Sequence, residues 1–187
     1  VVADFGCGNG IFADMIHDRV AEYDGVDFSE DFIKLAKKRK EKLQTKNVTF
    51  YCEDIITFCK NKSSHYDKVF SIDFSEHIYD EDFLTIFTAI MSSLKPGGTL
   101  YLHTPNADFI LEVFKKHGIL KQVYGHIAVR NGEQYRKLFA DRGFKNVKVH
   151  HIPHYIPFLS WLHFLSKIPF VGKFLKARLF IECIKEL

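Results

Sequence analysis

The stretch of sequence that decides the fold is Val1-Val2-Ala3-Asp4-Phe5-Gly6-Cys7-Gly8-Asn9-Gly10. Two β-branched residues and an alanine lead into an acid and then into three glycines at alternate positions. This pattern predicts a buried strand, a tight turn and, from residue 11 onward, a helix. Such a unit cradles a ligand at the carboxyl edge of a parallel sheet, because glycine adopts positive φ freely and leaves bare backbone for the ligand to contact.

The spacing of the glycines distinguishes two kinds of nucleotide cradle. A dinucleotide fingerprint would need glycine at positions 6, 8 and 11, but position 11 is isoleucine. The observed Asp-x-Gly-x-Gly-x-Gly resembles the first motif of class I S-adenosylmethionine (SAM) methyltransferases. In that family the glycine loop positions the methionine part of SAM and the acid its ammonium side. The resemblance therefore implies cofactor contacts from Asp4, Gly6, Cys7, Gly8 and Gly10.

Two further predicted strands also end in acids. The strand Tyr23–Asp27 lies about twenty residues after the glycines, where a carboxylate can accept hydrogen bonds from both ribose hydroxyls. The resemblance assigns this role to Asp27, followed by Phe28. A third strand, Val48–Cys52, is followed by a second acidic position, and the resemblance assigns Asp54 and Ile55 to the adenine.

The remaining pattern predicts the rest of the sheet. A fourth strand covers residues 66–73, a helix covers 81–94 and a fifth strand covers 99–103. The Lys-Pro-Gly-Gly at 95–98 is a helix stop signal and also a frequent signature of the methyltransferase family. Strands and helices alternate without a hairpin, which predicts a doubly wound parallel sheet of the α/β class.

The C-terminal part adds two strands, at 144–151 and 178–184. We therefore expect a mostly parallel seven-stranded sheet, the Rossmann-like methyltransferase fold, in a single domain covering residues 1–187. The resemblance extends from Val1 to about Phe144. Family members usually carry one or two helices before the first strand, and we expect these helices to be absent from this sequence.

Composition agrees with one globular domain. The chain has 187 residues, of which 47% are hydrophobic, so it can bury a sizeable core. Its four cysteines have no Cys-x-x-Cys spacing, which indicates neither a disulfide framework nor a zinc site and makes the cytoplasm the expected compartment. The formal net charge of +3 is too small to indicate nucleic-acid binding. A basic run at 34–42 fits the outer face of a helix whose buried stripe would be Phe32, Leu35, Ala36 and Leu43.

The segment Asp73-Phe74-Ser75-Glu76-His77 carries candidate chemistry. If a helical turn begins here, Asp73, Glu76 and His77 share one face. This oxygen-plus-nitrogen set suits a divalent ion, and the pattern is similar to ubiquinone-pathway phenol O-methyltransferases and to small-RNA terminal 2′-O-methyltransferases. Those branches usually have Glu where this chain has Asp73. The alternative is that these side chains line the active site without a metal. We adopt this alternative and assign Asp73 to the cofactor site and Glu76 and His77 to catalysis, with no residue assigned as a metal ligand.

A third candidate catalytic residue is His126, in the loop segment that follows the fifth strand. A histidine in this loop again resembles both branches. It could return over the active site as a base or as a further metal ligand, or it could simply be an exposed loop histidine. We expect it to be catalytic.

The tail contains an aromatic-rich insertion at about 153–174. Its uncharged stretch is too short, and too rich in His and Pro, to span a bilayer. It is either a hydrophobic lid or homodimer surface, or an interfacial element with basic residues beside the aromatics, which would suit a lipid-like substrate. The basic residues are Lys167, Lys173, Lys176 and Arg178.

Together these features predict a SAM-dependent methyltransferase that moves a methyl group to an oxygen of a small molecule. Nitrogen is the less favoured acceptor atom, and a lipid-like molecule is one of the acceptors that the sequence leaves open. The protein must align the acceptor with the S–CH3 bond, and His77 or His126 would remove the proton of an oxygen nucleophile. The alternatives are an RNA 2′-O-methyltransferase or a catalytically idle SAM-binding subunit. A nucleotide-dependent oxidoreductase is disfavoured by the glycine spacing.

Overall fold

The computed structural model describes residues 1–140 and 146–186. The strands are β1 (Val2–Phe5), β2 (Tyr23–Asp27), β3 (Val48–Cys52), β4 (Tyr66–Ile72), β5 (Leu94–Pro105), β6 (Lys148–Ile152) and β7 (Arg178–Ile184). They form one sheet in the order β3-β2-β1-β4-β5-β7-β6. Strands β1 to β5 pair in parallel with one another, whereas β7 is antiparallel to both β5 and β6.

Helices connect the strands and cover both faces of the sheet. Two separate hydrophobic clusters form because neighbouring residues of a strand point to opposite faces, so Ala3 and Phe5 join one cluster and Val2 the other. This confirms the predicted doubly wound fold. The described helices are α1 (Ile11–Ile16), α2 (Glu30–Leu43), α3 (Ile55–Lys60), α4 (Asp80–Ser93), α5 (Ile110–Lys116), α6 (Gly132–Ala140) and α7 (Pro157–Leu162).

The larger cluster is rich in aromatic rings contributed by the helices of one face. Phe83 and Phe87 of α4 stack at a centroid distance of 4.2 Å, and Phe139 of α6 packs edge-on against both. On the opposite face, Ile33 and Ala36 of α2 are buried. The sheet is therefore held between two packed layers, which fixes the positions of its strand ends.

Several predicted boundaries were wrong in detail. β5 begins at Leu94 rather than at residue 99, because residues 97 and 98 exchange backbone hydrogen bonds with Lys185 and so continue the sheet through the predicted stop signal. The buried stripe of α2 was also wrong, since Phe32 and Leu35 are about half exposed while Ile33 is buried. The sixth strand begins at Lys148, and residues 144 and 145, where it was predicted to begin, lie outside the described residues.

Within the described residues, no helix is both long enough and apolar enough to cross a membrane.

Candidate functional site

The glycine turn after β1 forms an open cradle. Gly6, Gly8 and Gly10 all have positive φ, between 51° and 74°. A Cβ on Gly6 would meet the ring of Phe74 and one on Gly10 the ring of Phe50, both closer than 3 Å, whereas nothing lies within 4 Å of the corresponding point on Gly8. Two glycines therefore permit close packing of the turn, and the third leaves free space beside its backbone.

The acid of this motif is buried and only partly satisfied. Asp4 is 2% exposed, and its Oδ2 accepts a hydrogen bond of 2.6 Å from the Tyr23 hydroxyl, while Oδ1 has no hydrogen-bond partner. Burial raises the pKa of Asp4 to about 7, although the hydrogen bond from Tyr23 opposes this rise. The unpaired oxygen is suited to an ammonium group that reaches it from a ligand.

Asp27, at the end of β2, is tied to the same turn. Its Oδ2 accepts from the Gly8 amide and its Oδ1 from the Ser29 amide, each at 2.9 Å. A carboxylate oxygen can accept more than one hydrogen bond, so both retain capacity for hydroxyl donors. Phe28 follows directly and is 78% exposed, with its ring free to stack on a planar ligand.

The remaining predicted cofactor residues differ in how available they are. Asp54 is exposed and caps α3, with Oδ1 accepting from the amide and the hydroxyl of Thr57. Ile55 is buried at the start of that helix. The Cys7 thiol is also buried in the core, and burial raises its pKa, so this residue can offer a ligand only its backbone. The assignments of these residues to a cofactor remain predictions.

The three predicted catalytic residues lie together. The His77 and His126 rings are 5.1 Å apart between centroids and nearly perpendicular, and the His126 Nε2 atom is 4.0 Å from Oε1 of Glu76. The three side chains can each offer a ligand atom, and these atoms all lie within 4.8 Å of one another. The loop histidine therefore does return to the Glu-His pair.

A backbone clamp brings the two segments into contact. The carbonyl of Glu76 accepts hydrogen bonds of 3.0 Å from the amides of both Ile127 and Ala128. Arg130, only 3% exposed, donates to the carbonyls of Ser75 and Ile78 and pairs with the Asp80 carboxylate. Sequence reasoning missed this arginine because its three partners, two backbone carbonyls and one carboxylate, lie 50 to 55 positions away in the chain.

The predicted common face of Asp73, Glu76 and His77 is wrong. The short 3-10 turn covers only Ser75–His77, and Asp73 precedes it with a left-handed φ of 51°. Its carboxylate instead accepts from Arg178 and lies 3.1 Å from His103 Nδ1. Burial acts to raise the pKa of Asp73, but the His103 hydrogen bond and the Arg178 charge outweigh it and lower the pKa.

Electrostatics distinguish the members of the cluster. Burial raises the pKa of Glu76 to about 7, although the hydrogen bond of 3.1 Å from the Thr104 hydroxyl opposes the rise. Burial and the neighbouring His77 lower the pKa of His126. His126 is thus held neutral at neutral pH, the state in which an imidazole accepts a proton.

A hydroxyl network continues from the buried carboxyl into the core. The Tyr135 hydroxyl lies 2.7 Å from the Ser75 hydroxyl and donates at 3.4 Å to Thr104, which in turn donates to Glu76. All of these groups are buried. The network fixes the orientation of the Glu76 carboxyl group. A carboxyl group surrounded by water would have no such fixed orientation.

Comparison with known proteins decides the family. A family model described as a methyltransferase domain matches residues 1–149, well over half of the chain. The chain belongs to this methyltransferase family. The resemblance read from the glycine motif is thereby confirmed.

Curated relatives of this methyltransferase domain point in the same direction. A ubiquinone biosynthesis O-methyltransferase from Coxiella burnetii is 32% identical over 108 residues, which are 58% of this chain and 44% of that protein. The protein of the same name from Idiomarina loihiensis is 31% identical over 108 residues. The chain thus spans less than half the length of these relatives.

Solved structures share the fold of this methyltransferase domain. A SAM-dependent methyltransferase from Archaeoglobus fulgidus matches with a TM-score of 0.73 and 20% identity, over 98% of this chain and 85% of that one. A Haemonchus contortus phosphoethanolamine N-methyltransferase in complex with S-adenosylhomocysteine matches with a TM-score of 0.71 and 23% identity, over 100% of this chain and 48% of that one. These likenesses confirm the Rossmann-like methyltransferase fold.

The buried carboxyl of Asp4 should make stability depend on pH. Its pKa is about 7 in the folded chain and 3.8 as a free group, so between these values the folded state binds more protons and its stability falls as pH rises. Asp4→Asn removes this loss, so relative to the parent the variant should gain about 2–4 kcal/mol in free energy of unfolding between pH 4 and pH 8. Urea titrations without SAM measure this difference, with Asp31→Asn on exposed α2 as control. Parallel pH profiles for Asp4→Asn and the parent would contradict the prediction.

Removing the arginine clamp should destabilise the chain. Arg130→Ala removes the guanidinium donors from the Ser75 and Ile78 carbonyls and leaves the Ser75 carbonyl only the 3.4 Å bond from the Ile78 amide. The variant should lower the free energy of unfolding by about 3 kcal/mol. Denaturant titration at fixed pH measures the loss. Arg136→Ala, an exposed arginine on α6, should change stability by less than about 0.5 kcal/mol, and equal effects of the two variants would show that the clamp is unimportant.

Proposed function

We propose that this domain transfers a methyl group from SAM to an oxygen atom of a small, lipid-like acceptor. One observation carries the proposal: the glycine turn follows β1, and the turn with Glu76 and His77, against which His126 packs, follows the neighbouring parallel strand β4. A cofactor cradle and a group of acid–base side chains therefore share one edge of the sheet. The names of the ubiquinone biosynthesis O-methyltransferases support an oxygen acceptor.

The cradle has donors and acceptors of the kinds that SAM needs. The unpaired Oδ1 of Asp4 suits the ammonium, the space beside Gly8 suits close approach of the methionine part, and Asp27 suits the ribose. Phe28 offers an exposed ring for the adenine. When bound, SAM supplies a methyl group on a sulfonium, which is already a good leaving group.

The protein's own task is then to orient the acceptor and remove its proton. His77 Nδ1 lies 2.8 Å from the carbonyl oxygen of Gly125, which can only accept, so Nδ1 carries the proton and donates. This tautomer leaves Nε2 as the acceptor for a hydroxyl proton. His126, kept neutral by burial and by His77, is the second candidate base.

A divalent ion held by Glu76, His77 and His126 is the alternative way to activate the acceptor. Two imidazole nitrogens and one carboxylate oxygen are ligands that suit zinc, manganese or cobalt. They suit magnesium less well, because magnesium prefers oxygen ligands. The three atoms lie close enough to converge on one ion. Such an ion would lower the pKa of the acceptor hydroxyl, and Asp73 would not be among its ligands because Arg178 and His103 engage it.

The ribose assignment can be tested by binding alone. Asp27→Ala should weaken SAM binding by about 2–3 kcal/mol, because it removes the acceptor for two hydroxyls. Titration calorimetry measures the affinity. Asp27→Asn keeps one acceptor oxygen, so its SAM affinity should lie between that of Asp27→Ala and that of the parent. Because Asp27 also holds the Gly8 and Ser29 amides, circular dichroism must show that both variants are folded. Unchanged affinity would mean that the ribose is held elsewhere.

The two ways of activating the acceptor predict different responses to chelation. The assay is methyl transfer from radiolabelled SAM to two kinds of phenol, one with an apolar tail and one without it, each measured in the presence and in the absence of chelator. With a histidine base, turnover survives excess chelator, and His77→Asn and His126→Asn lower kcat by about 100-fold or more while SAM affinity stays unchanged.

With a metal, chelator abolishes turnover, manganese or cobalt restores it, and His126→Ala reproduces the chelated enzyme. His117→Ala, in the turn after α5, is the matched histidine control. SAM binding without transfer to any phenol, amine or RNA would instead favour an idle SAM-binding subunit.

A further inference from the structure

The segment 153–174 displays large apolar side chains to solvent. Tyr155, Trp161, Phe164 and Phe170 are between 73% and 95% exposed. Scattered exposed apolar residues are ordinary, but several large aromatics within 22 positions mark a binding surface. We refer to these residues as the 153–174 surface.

The 153–174 surface is a packed structure. It contains α7 and two 3-10 turns, His163–Lys167 and Gly172–Leu175. A Cβ on Gly172 would lie 2.1 Å from the carbonyl oxygen of Ser166, and the Gly172 amide donates to the Ile168 carbonyl at 2.8 Å. The two turns therefore touch backbone to backbone, and only glycine permits this contact. The aromatic rings are exposed although the backbone that carries them is folded.

Charge on this surface has one sign. Residues 142–181 contain no Asp or Glu, and the 153–174 surface carries Lys167 and Lys173, with Lys176 just beyond it. Lys167 and Lys173 are exposed, and Lys173 Nζ lies over the Phe174 ring at 4.8 Å from its centroid. Among the described residues no carboxylate pairs with any of these three lysines. Exposed lysines beside exposed aromatics are complementary to an anionic apolar boundary.

Both ends of the 153–174 surface are fixed next to the candidate site. At its start, His154 packs against the Phe109 ring and Tyr155 against the Arg178 guanidinium, 5.4 Å from the ring centroid. At its end, the Asn106 side chain donates to the Lys176 carbonyl at 2.7 Å. Arg178 also binds Asp73, just before the turn that carries Glu76. The surface thus lies beside the carboxyl edge of the sheet.

We infer that the 153–174 surface docks the protein on an anionic lipid bilayer. The aromatic rings enter the interface, and Lys167 and Lys173 contact the charged headgroups. This orientation turns the carboxyl edge of the sheet toward the lipid, where an apolar acceptor is concentrated. Docking does not depend on which atom is methylated, so it can succeed or fail independently of the proposed reaction.

The lysines are tested on vesicles of defined charge. The chain should co-sediment with phosphatidylglycerol–phosphatidylcholine vesicles at low salt and bind phosphatidylcholine alone more weakly. Lys167→Gln/Lys173→Gln should lower the partition coefficient on the anionic vesicles by about fivefold for each lysine. Lys37→Gln/Lys38→Gln makes the same change in net charge on α2, where both lysines are exposed, and should change it little. Equal losses for the two pairs would show that only net charge matters and would overturn the inference.

The aromatic rings are tested by replacing three of them. Trp161→Ser/Phe164→Ser/Phe170→Ser should abolish co-sedimentation with both vesicle types and leave SAM affinity, measured by calorimetry, unchanged. Leu35→Ser, an exposed apolar residue of α2, should leave vesicle binding intact. Failure of the unmodified chain to bind anionic vesicles at low salt overturns the inference. So does a dimer in sedimentation velocity that the triple variant abolishes while vesicle binding persists, because the surface would then be a homodimer interface.

Discussion

Strand β1 lies between β2 and β4, and all three run parallel, so their carboxyl ends meet at one edge of the sheet. The strand order reverses at β1, which opens a crevice between the loops that leave on opposite faces. The glycine turn follows β1, Asp27 is the last residue of β2, and Asp73 follows β4 directly. Residues far apart in the chain thereby surround one space, and the whole candidate site depends on this constraint.

The other wall of the site depends on backbone hydrogen bonds between two loops. The carbonyl of Glu76 accepts two amides from the 125–130 loop, and Arg130 binds the carbonyls on either side of the same turn. These contacts place His126 beside His77 without help from any regular element. Such an arrangement is sensitive to a single buried side chain, because carbonyls that lose a donor in the interior cannot turn to water.

Two carboxyls at this edge, Asp4 and Glu76, are buried with raised pKa values. Burying an acid without full pairing reduces stability at neutral pH, and buried perturbed groups are concentrated where a protein binds or transforms a ligand. The 153–174 surface departs from ordinary packing in the opposite way, because its apolar aromatic rings are exposed. Both departures lie at the same edge of the molecule.

The sequence by itself determined the sheet and the cradle. Strands β2, β3 and β7 begin and end where the pattern predicts, and the spacing of Gly6, Gly8 and Gly10 identified the family, because these features rest on local periodicity and on φ values that only glycine readily adopts. Tertiary structure alone decided the partner of Asp73, which a local helical pattern had grouped with Glu76. It also supplied Arg130, and it decided between the two positions that the sequence left open for His126, exposed in the loop or returned to the Glu-His pair. Those contacts join residues tens of positions apart, and no local signal encodes which distant backbone groups a side chain will meet.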